Sequence, residues 1–437
     1  MNRCLHKFFV YGLNFLGFLG VGLLLLVLVC SLPIARIDSN VAASARYFQD
    51  GPYPIIRSWC TSQLDLYTDG LKLLEAADNS EGNAFEKAMM VNRGVVDGFT
   101  PDLSLFHHYQ KSIEFTKIVD YPRYWHGFLA FLKPALFFLT YDKILFFNAF
   151  LQVAISLLIC FLMVKRNLSH YVIPYLITYL MLMPEALARC LQFSTCYYLF
   201  SLSIVFLLVV PDRIRDKHAA LVFFYIGMLT SYFDLLTYPL VTLGLPAAFL
   251  VVMQKQQMEI LRLVEIVFTW FVGYLGMWAS KWVVASCFLE KNVIADALDK
   301  VALRMSDSSS VSVVNFTISQ SIVENYKFFS FTPATLLLLL FLFVLFVLVA
   351  RKIKSIASVN YKRFLPYVLV SIMPIVWFSF VLNHSCVHVF FTNKICSISV
   401  MAILLGCVDF YGCIKNGSEI TKEAESVRNS SQSFGRL

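Results

Sequence analysis

The sequence predicts an all-α integral membrane protein with about ten to eleven transmembrane helices and a helical outer domain between the first and second. Three observations carry this. Of the 437 residues, 58% are hydrophobic and 15% charged, with a mean hydropathy of +0.69, whereas soluble domains carry about a quarter charged residues. Apolar runs of roughly 18 residues, the length an α-helix needs to cross a ~30 Å hydrocarbon core, recur along the chain. The short alternating segments of a β-barrel do not.

The first run, 8–30, follows Arg3 and Lys7. It is too long for the apolar region of a signal peptide, and the cleavage-like Ala43-Ser44-Ala45 lies too far downstream, so residues 1–30 read as a retained anchor helix. Residues 31–126 form the only long polar stretch, an outer loop domain with helix-like segments such as 63–77. Apolar runs at 127–140, 144–164, 171–186, 196–210, 218–232, 235–253 and 263–285 build a transmembrane bundle over 127–285. A second outer loop, 286–332, precedes the C-terminal transmembrane helices of 333–413, with runs at 333–350, 363–381 and 395–413, and a cytoplasmic tail spans 414–437.

The net charge of +8 comes from Lys and Arg placed mainly in short connections between apolar runs. Such residues act as topology signals, so nucleic acid is not an expected partner. They mark Lys165-Arg166, 212–217, 255–262 and 351–363 as cytoplasmic. With Arg3 and Lys7 also inside, parity holds if 127–142 makes no net crossing, and Lys133-Pro134 interrupts that stretch with a residue that bends helices. The expectation is ten full spans plus a re-entrant half-helix, a multi-pass protein of the plasma membrane with both termini cytoplasmic. The rival is eleven spans with one loop against the charge rule. Among the 11 Cys there is no C-x-x-C pair to suggest a zinc site or disulfide framework.

The same orientation places the unusual polar residues together outside. Asp65 and Asp69 in LDLYTDG stand four apart, which on a helix is one face, where like charges repel unless something uses them. The pair suits a general base or a divalent metal site; two unrelated aspartates on a solvated helix give the same spacing. In the segment Arg123-Tyr124-Trp125-His126-Gly127, Arg123 offers a rigid fork of donors to a phosphate and His126 a further donor, while Trp125 also fits simple headgroup anchoring. Asp234 and Tyr238, between two spans with almost no loop, put a carboxylate at the bilayer edge, where it is costly unless functional, paired or capping a helix. His384 and His388 share a helical spacing, too few by themselves for a metal, and with Lys394 suit hydrogen bonding near a phosphate or an interfacial polar cap. Walker A, G-x-G-x-x-G and G-x-S-x-G contexts are missing, which argues against nucleotide-driven chemistry in the small inner loops.

With LDLYTDG, RYWHG, SYFDLLTYP and NHSCVHVFFTNK in view, the plan resembles the GT-C class of membrane glycosyltransferases, and uncharacterised bacterial membrane proteins grouped near it. The resemblance implies transfer of a sugar from a polyprenyl-phosphate carrier in the membrane lipid to an envelope glycan or lipid acceptor. It makes Asp65 or Asp69 the base and turns Arg123, His126 and His384 toward the carrier phosphate. The class's paired-proline signature at the second helix is replaced here by His126-Gly127. Two other readings remain open: a transporter or flippase, which should carry ionisable residues mid-span, and a non-catalytic envelope-assembly scaffold.

Overall fold

The computed structural model describes residues 3–254, 258–307, 315–351 and 360–434, with side chains over 6–415 of these; Lys255, Lys352 and Lys354 of the predicted inner connections fall outside them. Among the described residues the regular structure is helical apart from two three-residue strands. Helix α1 (Arg3–Cys30) leads into a mixed region of α2 (Ile34–Ser44), α3 (Leu66–Ala76), α4 (Ala84–Met90), β1 (Arg93–Val95), α5 (Pro101–Lys111) and β2 (Lys117–Val119). Strands β1 and β2 pair antiparallel, Gly94 opposite Ile118. Next come α6 (Leu129–Phe138), α7 (Tyr141–Lys165), α8 (Val172–Met181), α9 (Pro184–Ala188), α10 (Leu191–Val209), α11 (Asp212–Phe233), α12 (Val241–Met253) and α13 (Ile260–Phe288). The last third holds α14 (Val293–Met305), α15 (Ile318–Ser330), α16 (Ala334–Ala350), α17 (Leu365–Phe380), α18 (Leu382–Val387), α19 (Val389–Thr392) and α20 (Ser397–Phe434).

Six described helices have the length and apolarity of a membrane span: His6–Cys30, Tyr141–Lys165, Leu191–Val209, Ile260–Phe288, Tyr361–Phe380 and Val389–Lys415. The pair α15 and α16, bent by 91° at its break, raises the number to at most seven. The protein is therefore a multi-pass helical membrane protein. Of the eleven apolar runs, counting the first, six match these helices and one the bent pair; the other four fall short for local reasons. Helices α6 and α8 are ten residues long and α12 is 13, so they rise only about 15–20 Å, well short of a ~30 Å core. Prolines 134 and 246 lie inside α6 and α12. In α11 the 22 residues begin with a charged turn, Asp212 to Lys217, which lowers its mean apolarity.

The closest helix pairing is between α11 and α13. A Cβ added at Gly227 would lie 2.1 Å from the Trp270 carbonyl oxygen, and one at Gly273 would lie 2.2 Å from that of Phe224. Small residues at facing positions let two backbones meet, the usual device where lipid removes the hydrophobic drive between helices. Gly227→Leu is expected to destabilise the bundle by about 3 kcal/mol or more, since rigid backbone rather than a side chain must move. Solubilised G227L should elute as aggregate on gel filtration; a monodisperse peak with unchanged heat resistance would refute the packing argument.

Side-chain hydrogen bonds add to this. Asn148 on α7 donates to Ala188 O at 2.7 Å and to Ser194 Oγ at 2.8 Å, and Tyr198 on α10 donates to Asn148 Oδ1 at 2.6 Å. At the N-terminal end of α11, the buried Arg215 pairs with Asp212 and Asp216, both at 3.0 Å. The Asn148 bonds tie α7 to α10, and Arg166, just after α7, pairs with Asp212 at 2.8 Å and ties α7 to α11.

Candidate functional site

A cavity of about 790 Å³ opens where the α2 to β2 region meets α13, α14 and α18. Its lining includes Asp65 and Thr68 at the start of α3, Arg93 on β1, the segment Asp120 to Tyr124, Trp278, one face of α14, and His384, His388, Phe390 and Phe391. Four sequence candidates thus meet in one space: Asp65, Arg123, His384 and His388.

Asp65 is not on the helical face shared with Asp69. The helix begins at Leu66, and Asp65 is its N-cap, accepting from Thr68 N at 3.0 Å and Thr68 Oγ1 at 2.7 Å. The cause is the orphan amides of a first turn, which a short carboxylate satisfies from the capping position. Burial pushes the Asp65 carboxyl up to about 7; the Thr68 hydrogen bonds and Lys72 oppose the shift, and the nearby Asp69 charge adds to it. Near neutral pH the group stands between its two forms, the condition for a general base.

Asp69 has other work. Its Oδ2 accepts from Tyr141 OH at 2.5 Å and Leu191 N at 2.7 Å, and its Oδ1 from Gln192 N at 2.8 Å. Leu191 and Gln192 open α10, so Asp69 caps a second helix across space, where the positive end of the helix dipole favours an anion. Burial still raises its carboxyl. It is absent from the cavity lining.

Arg123 reaches Asp296 on α14 at 2.6 Å and lies 4.8 Å from the centroid of the Tyr121 ring. Its carbonyl oxygen accepts from both Trp278 and Trp282 at 3.0 Å, which anchors the segment to α13. Lys291 makes a second ion pair from the α14 side, to Asp120. These two pairs tie α14 to the 120–124 segment.

The remaining candidates are buried ties outside the cavity lining. Trp125 Nε1 donates to Met277 O at 2.6 Å. His126 uses both nitrogens, with Nδ1 3.0 Å from Glu75 Oε2 and Nε2 donating to Tyr121 O at 2.9 Å. Asp234 accepts from Thr237 N at 2.8 Å and Thr237 Oγ1 at 2.5 Å, closing the turn after α11, and Tyr238 OH donates to Phe193 O. Lys394 Nζ donates to Leu182 O at 3.4 Å over the Phe193 ring. Among the described residues no three His, Cys, Asp or Glu side chains gather as a metal would need, and Asp65 and Asp69 do not form one two-carboxylate site.

The cavity also holds residues that sequence reasoning passed over: Arg93, Lys291, Asp296, Lys300 and Arg304. A signal for three of them was present. Asp296, Lys300 and Arg304 recur every four residues, the spacing of one helical face, inside a stretch that carries both charge signs. Arg93 carried no such signal, because its place depends on the pairing of β1 with β2. No protein-family model, curated protein or solved structure matches this chain.

Proposed function

We propose that this membrane protein transfers a sugar from a polyprenyl-phosphate carrier to an envelope glycan or lipid acceptor at the outer face of the plasma membrane, as its resemblance to the GT-C class implies. The observation that supports this reading is the joining, in one cavity, of a buried carboxyl poised near neutrality, Asp65, with a wall rich in cations on α14 and the 120–124 segment. In this mechanism Asp65 takes the proton of the acceptor hydroxyl as that oxygen bonds to the sugar C1. The C1–O bond to the carrier breaks, its electron pair stays on the phosphate oxygen, and the cations offset the growing charge. The charge rule, which keeps the short basic connections in the cytoplasm, would turn this cavity outward.

The test is sugar transfer in membranes bearing the full chain, with a labelled polyprenyl-phosphate sugar as donor. The base must be deprotonated to act, so the rate is expected to rise with pH through about 7 and to level off above it. Asp69, Lys72, Tyr53 and Cys190 surround Asp65, and none of them supplies a carboxyl at the cavity lining. No chain-dependent transfer, or a rate that falls as pH rises, would overturn the reading.

A further inference from the structure

We infer that the cation wall of this cavity is a diphosphate site, formed by Arg93, Lys300 and Arg304 with the neutral imidazoles of His384 and His388. The inference rests on the proposed transferase reading and narrows its donor to a lipid-linked diphosphate sugar.

Pairing within the wall comes first. Arg123 is matched by Asp296 and Lys291 by Asp120. Among the described residues, Arg93, Lys300 and Arg304 line the same cavity without a carboxylate partner. Arg93 packs its guanidinium 5.4 Å from the Tyr121 ring centroid, and its Nε and Nη1 are buried with no acceptor. A buried donor left unmatched is costly, and charged N–H donors of this kind are met well by the oxygens of a phosphate. Arg123 stands 4.8 Å from the centroid of that same ring, so Arg93 and the α14 residues address one region of the cavity.

Arg304 is held differently from the paired arginines. Its Nη1 lies 2.9 Å from His388 Nε2, and a guanidinium only donates, so that nitrogen must carry a lone pair and the imidazole must be neutral. The contact orients Arg304 without cancelling its charge. His384 stands beside it, ring centroids 4.9 Å apart, and is only 3% exposed. Neither of its ring nitrogens has a partner in hydrogen-bonding geometry, although the backbone of Leu236 and Thr237 is close. The backbone can occupy only one side of the ring, so this buried imidazole on the cavity wall keeps a nitrogen for a ligand.

Charge then selects the ligand. A sugar phosphodiester carries one negative charge, whereas a sugar diphosphate diester carries two and gains a third as the C1–O bond breaks and the electron pair settles on the terminal phosphate oxygen. Three unmatched cations balance the second case at the moment of transfer, while the acceptor proton goes to Asp65.

The test uses the full chain purified in detergent, titrated calorimetrically with inorganic pyrophosphate and with orthophosphate. Pyrophosphate should bind roughly tenfold or more tightly, and Arg93→Gln and Arg304→Gln should each weaken it by roughly tenfold, the worth of a charge-assisted hydrogen bond. Lys300→Gln, at an exposed position with little bearing on folding, should weaken it several-fold. Arg57→Gln, an exposed residue paired with the half-buried Glu185, both outside the cavity lining, should leave it unchanged. Equal binding of the two anions, or pyrophosphate binding indifferent to all three cavity variants, would overturn the site. Displacement by a prenyl diphosphate at lower concentration than by uridine diphosphate upholds the lipid-linked donor; the reverse order overturns that donor. Asp65→Asn should keep pyrophosphate binding. Loss of the diphosphate preference alongside Asp65-dependent transfer would remove this inference and leave the transferase reading in place.

Discussion

Asp65→Asn is expected to lower sugar transfer by about 10²–10⁴-fold while leaving the protein folded, the range that removal of a general base produces. The amide keeps the shape of the side chain, and its oxygen still accepts from Thr68 N, so the α3 cap survives. What is lost is the lone pair that takes the acceptor proton. Stability should move the other way. The folded carboxyl stands near 7, above the unfolded value of 3.8, so the folded state is penalised increasingly as pH rises from about 4 through about 7. Removing the charge relieves that penalty, and D65N should be at least as heat-stable as the parent at alkaline pH. Transfer by D65N within a few-fold of the parent would sink the mechanism, whatever its stability.

The matched change at Asp69 should act on the fold. Asp69→Asn turns one acceptor into an amide donor facing Gln192 N on one side or Leu191 N and Tyr141 OH on the other. At least one buried donor is then opposed by another donor at the N-terminus of α10. The expected loss is about 3 kcal/mol, the cost of leaving such groups unsatisfied beside a charged partner that has gone. A lowered thermal unfolding midpoint in detergent, with tightly reduced yield of solubilised protein, is the readout. A midpoint equal to the parent's would show that these hydrogen bonds do not hold α3 to α10. The contrast between the two aspartates separates chemistry from architecture within five residues of sequence.

That contrast also marks the limit of sequence reading. Two aspartates four apart look equivalent on paper, and the reading of a shared helical face followed from spacing alone. The capping interaction that starts the helix at Leu66 moves Asp65 off that face, and Asp69 finds its partners 72 residues or more away. His126 was attractive for its type and its place beside Arg123. Its partners Glu75 and Tyr121 occupy both nitrogens, and Glu75 lies 51 residues upstream. Conversely, the four-residue recurrence of Asp296, Lys300 and Arg304 was legible and carried real information about one wall of the cavity.

The sequence by itself determined that this is a helical membrane protein and located its longest spans, because crossing a bilayer depends on the length and apolarity of one contiguous segment. Helices α1, α7, α10, α13 and α17 could be read that way. It also gathered Asp65, Arg123, His384 and His388 as candidates by residue type. Only the tertiary structure decided which short apolar runs break at proline, which polar groups are consumed as ties, and that Arg93, Lys300 and Arg304 stand with Asp65 over one cavity. The reason is physical: whether a buried donor or acceptor is free depends on its partner, and those partners come from segments far apart in the chain.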